Sequence, residues 1–295
     1  MWRPSIWMLA FFAGATNLAY GGSQLVTGLE APSPVLGHTI RYSAYLPAVP
    51  LPGGERYPVV YLLHGYQGDE NAWFNDGQIA PLLDAAIAAG EIPPLIVVAP
   101  AAGNSWYVDN PDPNGAGNVA TALATDFVAA VDSEFPTLAC REARIIGGFS
   151  MGGTGAIVLG LDHPELYAGV ISLSGRFPPL MTDSSRTPIG RSAGDFAGAF
   201  GIPFDPARFN QWNALTKVER ARYRQKPPSF YLTTGDGDEP DMIEGAARVF
   251  DALTASGVAA RLRIVGGGHD FGVWKPGLMD ALQWMSKELP KACPP

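Results

Sequence analysis

Hydrophobic positions along the chain form short apolar runs that alternate with longer, helix-like patterns. Eight runs have the length and composition of strands, and the later ones are apolar at consecutive positions, as in strands buried on both faces of a sheet. The predicted strands are Gln24–Leu29, Thr39–Leu46, Val59–Leu63, Leu95–Ala99, Arg144–Gly148, Gly169–Leu173, Phe230–Thr234 and Arg261–Val265. The first two are predicted to be antiparallel edge strands.

Segments with helical spacing lie between these strands. In the clearest one, Leu123, Phe127, Val131 and Phe135 are spaced four residues apart, which places them on one face of a helix. The predicted helices are Ile79–Ala89, Val119–Phe135, Gly153–Leu161, Met242–Ala255 and Leu278–Leu289. Strands and helices that alternate in this way predict an α/β fold, with a mostly parallel eight-stranded sheet and helices on both faces.

The alternation breaks down over residues 176–227, which are rich in proline and contain several aromatic residues. We interpret this segment as an insertion that caps the sheet and shapes a substrate pocket. Short helices are predicted within it at Ala207–Thr216 and Val218–Arg224. The segment is too short to favour a second domain.

The strongest motif is Gly-Phe-Ser-Met-Gly at residues 148–152, which matches the nucleophile pattern Gly-x-Ser-x-Gly. It lies between a predicted strand and a predicted helix, so Ser150 should occupy a sharp turn. Such a turn requires small neighbours, because its backbone is strained and the helix packs closely against the strand. The helix N-terminus would direct N–H groups towards a developing oxyanion. Ser150 is therefore the predicted nucleophile.

A histidine late in the chain should act as the base, because this arrangement orders its triad as serine, acid, histidine. The chain contains 4 histidines. His38 lies on an early strand, His163 lies at a helix end, and His64 directly follows a strand, where it can shape the next loop. His269 lies in a glycine-rich loop after the last strand, from which its side chain can reach the serine.

The acid that orients the histidine should follow the strand Phe230–Thr234. Residues 235–241 contain Asp236, Asp238 and Asp241, and the residue pattern leaves the choice among them open. In such turns, aspartates that are not catalytic serve as solvated turn residues.

Two backbone N–H groups are needed to stabilise an oxyanion. They are assigned to Met151, which follows the nucleophile, and to Tyr66, which lies in the loop after the strand Val59–Leu63. Aromatic residues also occur in loops at this end of the sheet, where substrates of α/β proteins bind. Trp73, Trp106 and Tyr107 are therefore predicted to bind substrate, with loop anchoring as the alternative.

These motifs resemble the esterase-D-like superfamily of α/β-hydrolases, which includes feruloyl and acetyl-xylan esterases, S-formylglutathione hydrolases, enterochelin esterases and mycolyltransferases. The segments that carry the resemblance are 61–65, 73–74, 104–107, 148–153, 163–167 and 267–270, and it extends over about residues 37–289. In the feruloyl-esterase branch the acid lies in a Gly-x-x-Asp turn. Here that turn is Gly235–Asp238, so the resemblance implies that Asp238 is the acid, ahead of Asp236 and Asp241. The chain departs from the family in the helix after Asn118, which has no acidic residue before Asp126.

The N-terminal sequence predicts where the protein is located, and the net charge argues against a nucleic-acid partner. Arg3, the apolar run Ile6–Ala13 and the small residues after it predict a signal peptide over residues 1–22 and a secreted or periplasmic protein. The run is too short to favour a membrane span, so no stable membrane association is expected. The formal net charge of −8 argues against a nucleic-acid partner. Residues 23–295 are then a single α/β-hydrolase catalytic domain.

Cys140 and Cys293 are the only cysteines. In an exported protein they could form a disulfide, and two free thiols are the alternative. Neither has neighbours typical of a metal site, and no metal or cofactor is predicted.

The sequence predicts a secreted serine carboxylesterase that acts through an acyl-enzyme on small-molecule or polysaccharide-linked esters. A feruloyl or acetyl-xylan ester is the specific substrate that it favours. One alternative is an acyltransferase of the mycolyltransferase type, in which an alcohol replaces water. Another is a non-catalytic binding protein on a hydrolase scaffold, although such proteins usually lose triad members. The oligomeric state is not predicted.

Overall fold

The computed structural model describes residues 22–49, 55–110, 112, 114–182, 196, 198–221 and 226–294. The predicted signal peptide lies outside the described residues except for Gly22. The strands are β1 Gln24–Ser33, β2 His38–Leu46, β3 Val59–Leu63, β4 Ile96–Pro100, β5 Arg144–Phe149, β6 Gly169–Leu173, β7 Ser229–Gly235 and β8 Ala260–Val265. All eight predicted strands are present, with bounds that differ by a few residues.

These strands form an eight-stranded sheet in the order β1-β2-β4-β3-β5-β6-β7-β8. Strand β2 pairs antiparallel with both β1 and β4, and the remaining pairs are parallel. The prediction that both early strands lie at the edge is wrong for β2, because β1 covers it. The predicted α/β-hydrolase fold, with its mostly parallel sheet, is confirmed.

The helices are α1 Ala80–Ala88, α2 Val119–Ala122, α3 Val128–Glu134, α4 Met151–Asp162, α5 Pro206–Trp212, α6 Ala214–Ala221, α7 Pro240–Ala255 and α8 Phe271–Met285. A π-helical turn at Leu123–Phe127 joins α2 to α3, so the helix predicted over residues 119–135 is continuous but wider in its middle. Further short turns lie at Ala72–Asp76, Arg141–Ala143 and Ser286–Glu288.

Helices cover both faces of the sheet and bury the central strands completely. On one face the core includes Tyr61, Phe127 and Ile157, and on the other it includes Leu83 and Leu278. Each fully buried side chain of this size contributes about 1.5–3 kcal/mol to folding. The two-sided burial explains why β3 to β6 are apolar at consecutive positions rather than at alternate ones.

Helix α8 begins seven residues before its predicted start. The carboxylate of Asp270 accepts a hydrogen bond of 2.6 Å from the Gly272 N–H and caps the helix. Pro276 and Gly277 lie inside the helix. Gly277 is useful there, because a β-carbon would lie 3.1–3.3 Å from Leu173 and Thr233.

The described part of residues 176–227 contains α5 and α6. Asn213 separates the two helices, so the predicted helix over residues 207–216 is interrupted. The Asn213 side chain caps α6 through the Leu215 N–H at 3.0 Å and donates to the Pro178 carbonyl at 2.9 Å. A small aromatic cluster that includes Phe200, Phe204 and Phe209 packs within this segment.

A disulfide joins Cys140 to Cys293 across a Cα–Cα distance of 5.8 Å. It ties the C-terminal tail to the segment just before β5. Within the described ranges, no helix is both long and apolar enough to cross a lipid bilayer.

Candidate active site

Ser150 lies at the turn between β5 and α4. Its backbone has φ of 54° and ψ of −120°, a conformation that non-glycine residues rarely adopt. The turn is held by a hydrogen bond of 2.8 Å from the Ser150 N–H to the Leu173 carbonyl. Gly148 and Gly152 allow it, because a β-carbon on Gly148 would lie 2.5 Å from the Gly152 backbone. The motif thus folds as the sharp strand-to-helix turn that the sequence predicts.

Ser150, His269 and Asp238 form a continuous hydrogen-bonded line. The Ser150 hydroxyl donates to His269 Nε2, and His269 Nδ1 donates to Asp238 Oδ1, with 2.9 Å at each link. The Nδ1–H tautomer of His269 follows from this arrangement, because an ionised carboxylate can only accept. The three side chains come from the ends of β5, β7 and β8, which are brought to one edge of the sheet by its parallel pairing.

The three candidate aspartates have three separate environments. Asp238 faces His269, whereas Asp236 accepts a hydrogen bond of 3.0 Å from the Gly267 N–H and so fixes the base of the histidine loop. Asp241 pairs with Arg176 at 2.8 Å. Of the three, Asp238 is the one placed to orient the imidazole.

Asp238 is buried, and its environment favours the carboxylate. Burial alone would raise its pKa, but hydrogen bonds to the carboxylate, led by that from His269, and the nearby His269 charge outweigh burial and lower the pKa. The Glu239 N–H donates to Oδ1 at 3.1 Å and the Thr234 hydroxyl donates to Oδ2 at 3.2 Å. The Asp238 environment therefore favours the ionised carboxylate and fixes its orientation.

The loop after β3 approaches the nucleophile closely. A β-carbon on Gly65 would lie 2.5 Å from the Phe149 ring, next to Ser150, so the loop packs this closely against the nucleophile motif because residue 65 is glycine. Tyr66 and Met151, which were predicted to supply the oxyanion donors, both line the cavity at Ser150. Met151 is the first residue of α4, and its N–H therefore has no acceptor within the helix.

His64 holds this loop from behind, as expected from its position. Its Nε2 accepts a hydrogen bond of 3.0 Å from the Ala102 N–H, so this nitrogen carries no proton. The proton must then lie on Nδ1, which donates to the Gly65 carbonyl at 2.7 Å. Burial lowers the pKa of His64 despite the opposing effects of the Gly65 hydrogen bond and the nearby Asp69 and Glu70 carboxylates.

A cavity of about 270 Å³ opens at Ser150. Aromatic and apolar side chains dominate its wall, together with one arginine and one glutamate. Its lining comprises Gly65, Tyr66, Trp106, Phe149, Ser150, Met151, Arg176, Phe196, Glu239, Met242, His269 and Trp274. Of the three aromatic residues predicted to contact substrate, Trp106 is in this lining.

Trp73 and Tyr107, the other two, do not reach the cavity, and the prediction that they bind substrate is wrong. Both side chains are fully buried. The Trp73 indole donates to the Leu63 carbonyl at 3.0 Å, and the Tyr107 hydroxyl donates to the His64 carbonyl at 2.9 Å. They anchor the loop after β3, which was the alternative interpretation.

Several wall residues were not identified from the sequence. Phe149 lies inside the nucleophile motif, and Trp274 lies on the first turns of α8, where its ring stacks on Phe149 at 4.4 Å and meets the edge of His269 at 5.0 Å. Trp274 follows closely after His269 in the sequence, and this short separation could have identified it as a residue of the site. For Arg176 the sequence offered none, because its charged partners are more than sixty residues away.

In the part of the chain that the structure describes, no group of three or more histidine, cysteine, aspartate or glutamate side chains is arranged to hold a metal ion.

The fold and this arrangement define an α/β-hydrolase with a nucleophile elbow. The chain belongs to the Esterase family, whose family model matches residues 33–285. It is therefore an ester hydrolase.

Among curated relatives, an acetyl esterase from Caldicellulosiruptor saccharolyticus is 28% identical over 244 residues, which cover 79% of this chain and 85% of that protein. An endo-1,4-beta-xylanase/feruloyl esterase from Xylanibacter ruminicola is 34% identical over 122 residues, or 41% of this chain and 17% of that longer protein. A solved structure of a ferulic acid esterase has the same fold, with a TM-score of 0.75 and 24% identity over 91% of this chain and 99% of the other.

Proposed function

We propose that this ester hydrolase is a serine carboxylesterase that works through an acyl-enzyme. The observation that carries the proposal is the line of hydrogen bonds from Ser150 through His269 to Asp238, at 2.9 Å each. His269 accepts the Ser150 proton as Oγ attacks the ester carbonyl, and then donates it to the departing alcohol. Water activated by His269 releases the acid and regenerates Ser150. Asp238 stabilises the imidazolium that forms in both steps.

The N–H groups of Tyr66 and Met151 are proposed to bind the carbonyl oxygen as it becomes negative. Each such donor is typically worth about 3 kcal/mol in the transition state. The position of both residues in the cavity wall at Ser150 supports this assignment. The helix dipole of α4 adds to the stabilisation, because Met151 lies at its positive end.

The wall of the cavity supports an ester with an aromatic acyl group. Trp106, Phe149, Phe196 and Trp274 present ring surfaces to the space at Ser150, and pockets that bind aromatic groups are usually lined in this way. Relatives described as acetyl esterase and feruloyl esterase agree with a feruloyl or acetyl-xylan ester as the substrate. The ester is then a small molecule or is linked to a polysaccharide.

The proposal includes export from the cytoplasm. A signal peptide over residues 1–22 would precede one catalytic domain over residues 23–295, in which residues 176–227 form the pocket-shaping insertion. The disulfide between Cys140 and Cys293 supports an oxidising compartment, outside the cytoplasm or in the periplasm. No nucleic-acid partner or stable membrane association is proposed.

A hydrolysis panel tests the proposal. Wild type and Ser150→Ala are assayed on p-nitrophenyl acetate, p-nitrophenyl butyrate, methyl ferulate and acetylated xylan. The expected result is that wild type cleaves these esters, prefers methyl ferulate, and loses activity in Ser150→Ala. An unimpaired Ser150→Ala variant would overturn the nucleophile assignment. Hydrolysis of p-nitrophenyl acetate without release of ferulate would overturn the aromatic acyl group alone.

A further inference from the structure

Arg176 is a buried cation in the wall of the cavity. It follows β6 by three residues and begins the segment 176–227, and its side chain is only 6% exposed. A guanidinium cannot lose its charge in a protein, so a buried one must be paired to be tolerated. Its partners therefore indicate what the residue holds in place.

The Arg176 guanidinium spans two carboxylates at the start of α7. Its Nη2 donates to Glu239 at 2.7 Å, and its Nη1 donates to Asp241 at 2.8 Å. Glu239 is the residue that precedes the helix, and Asp241 lies in its first turn. Both belong to the turn that presents Asp238, and the Glu239 N–H donates directly to the Asp238 carboxylate.

The backbone of Arg176 is joined to the helix that follows the nucleophile. Its N–H donates to the Thr154 hydroxyl at 2.9 Å, and that hydroxyl lies 2.9 Å from the Arg176 carbonyl oxygen. The Thr154 N–H in turn donates to the Ser150 carbonyl at 3.1 Å. One residue thus connects the nucleophile helix, the cavity wall and the acid turn.

We propose that Arg176 is a positioning residue that fixes the acid turn relative to the nucleophile helix and so sets the alignment of Asp238 with His269. The inference rests on the proposed function, since it assigns Asp238 the role of the acid. Arg176 acts through Glu239 and Asp241 and need not touch the reacting atoms. A misplacement of about 1 Å in such an arrangement can cost about 100-fold in rate.

The test compares Arg176→Met with Arg248→Met as a matched control. Arg248 lies on α7, the helix that carries Asp241. It pairs with Glu244 at 3.4 Å and donates to the Phe177 carbonyl at 3.3 Å, but it lies outside the cavity lining. Arg176→Met is expected to lower kcat by about 10- to 100-fold with little change in KM. The loss should be the same for p-nitrophenyl acetate and p-nitrophenyl butyrate, and Arg248→Met should keep kcat within about 2-fold of wild type.

Rescue by charge provides a second readout. Arg176→Lys restores a cation that can reach one carboxylate, so it should recover part of the kcat that Arg176→Met loses. Asp241→Asn keeps the helix start and an acceptor for Arg176, and serves if Arg176→Met does not fold. It should lower kcat by a smaller factor, about 3- to 10-fold, because one charge-assisted hydrogen bond is weakened.

Three results would overturn the proposal. One is an unchanged kcat in a folded Arg176→Met or Asp241→Asn protein. Another is an increase in KM confined to the larger ester, which would make Arg176 a wall residue only. The third is an equal loss in Arg248→Met, which would indicate a general effect on α7. If Ser150→Ala stays active, the proposed function itself fails, and that outcome is separate from the other three.

Discussion

The loop that carries Tyr66 and the turn that carries Asp238 lie on opposite sides of β5 in the sheet, and different interactions hold them. From His64 to Gln67, the Tyr66 loop is held by uncharged groups: the His64 ring, the Tyr107 hydroxyl and the Asn104 amide, which accepts from the Gln67 N–H at 2.7 Å. The Asp238 turn is held by charged groups. Arg176 pairs with Glu239 and Asp241, and the Asp236 carboxylate accepts from the Gly267 N–H.

The difference fits the charges that the proposed reaction develops. Negative charge would form beside Tyr66 and Met151, and the groups that hold the loop by hydrogen bonds at His64 and Gln67 are neutral, so these groups do not oppose that charge. Positive charge would form on His269, and the carboxylates of Asp236, Asp238, Glu239 and Asp241 outnumber the single Arg176 beside it. Each support therefore matches the charge that it must accommodate.

The largest effect is expected from a substitution in the Asp238 turn, where charged groups hold the backbone. Asp238→Asn removes the carboxylate that fixes the His269 tautomer, and we expect kcat to fall by about 10⁴-fold with the fold intact. Asp236→Asn keeps an oxygen acceptor for the Gly267 N–H, so it should cost less than about 10-fold in kcat. Steady-state kinetics on p-nitrophenyl acetate measures both. A larger loss in Asp236→Asn than in Asp238→Asn would reassign the acid.

A smaller effect on kcat is expected from a substitution that loosens the Tyr66 loop. His64→Leu leaves the Ala102 N–H without an acceptor and releases the Tyr66 loop, so we expect kcat to fall by about 10- to 100-fold while KM changes little. His64→Gln provides an acceptor oxygen near the position of Nε2 and should retain most of the activity. Equal losses in the two variants would mean that ring packing, and not this hydrogen bond, supports the loop.

The same two regions show what the sequence could predict. Ser150 and its glycines were predictable because a strained strand-to-helix turn depends on residues adjacent in the chain. The central strands β3 to β6 were predictable because burial on both faces leaves an apolar run. The hydrophobic pattern did not reveal that α8 begins at Phe271, because Pro276 obscured it. The pairing of Arg176 with Asp241 left no trace in the sequence, because a long-range ion pair has no local pattern.

Trp73 and Tyr107 illustrate another limit. An aromatic residue in a loop near a site can face the substrate or anchor the loop, and the choice depends on which partners the fold supplies. Here the partners are the Leu63 and His64 carbonyl oxygens at the end of β3 and just after it, which only the folded chain brings within reach. Trp106 carries the same sequence signal and lines the cavity instead.

The smallest effect is expected in the pH dependence of the free energy of unfolding, which differs between the two regions. The lowered pKa of His64 means that, as pH falls below the ordinary histidine pKa of about 6.5, the unfolded chain binds a proton that the folded protein does not. Unfolding then becomes easier, by at most about 1.4 kcal/mol per pH unit, until the folded pKa is reached. The lowered pKa of Asp238 acts only in more acidic solution, below the ordinary pKa of an aspartate, where its stabilisation is lost as pH falls.

Urea unfolding of wild type and His64→Gln at pH 7.5, 6.5, 5.5 and 5.0 measures the His64 contribution directly, since titrating groups common to the two proteins cancel in the difference. The free energy of unfolding should fall more steeply in wild type below pH 6.5, and the curves should run parallel above it. Parallel curves throughout would show that His64 binds its proton equally well in both states. In that case the neutral tautomer would not be what stabilises the Tyr66 loop, and the contrast between its uncharged support and the charged Asp238 turn would lose its basis.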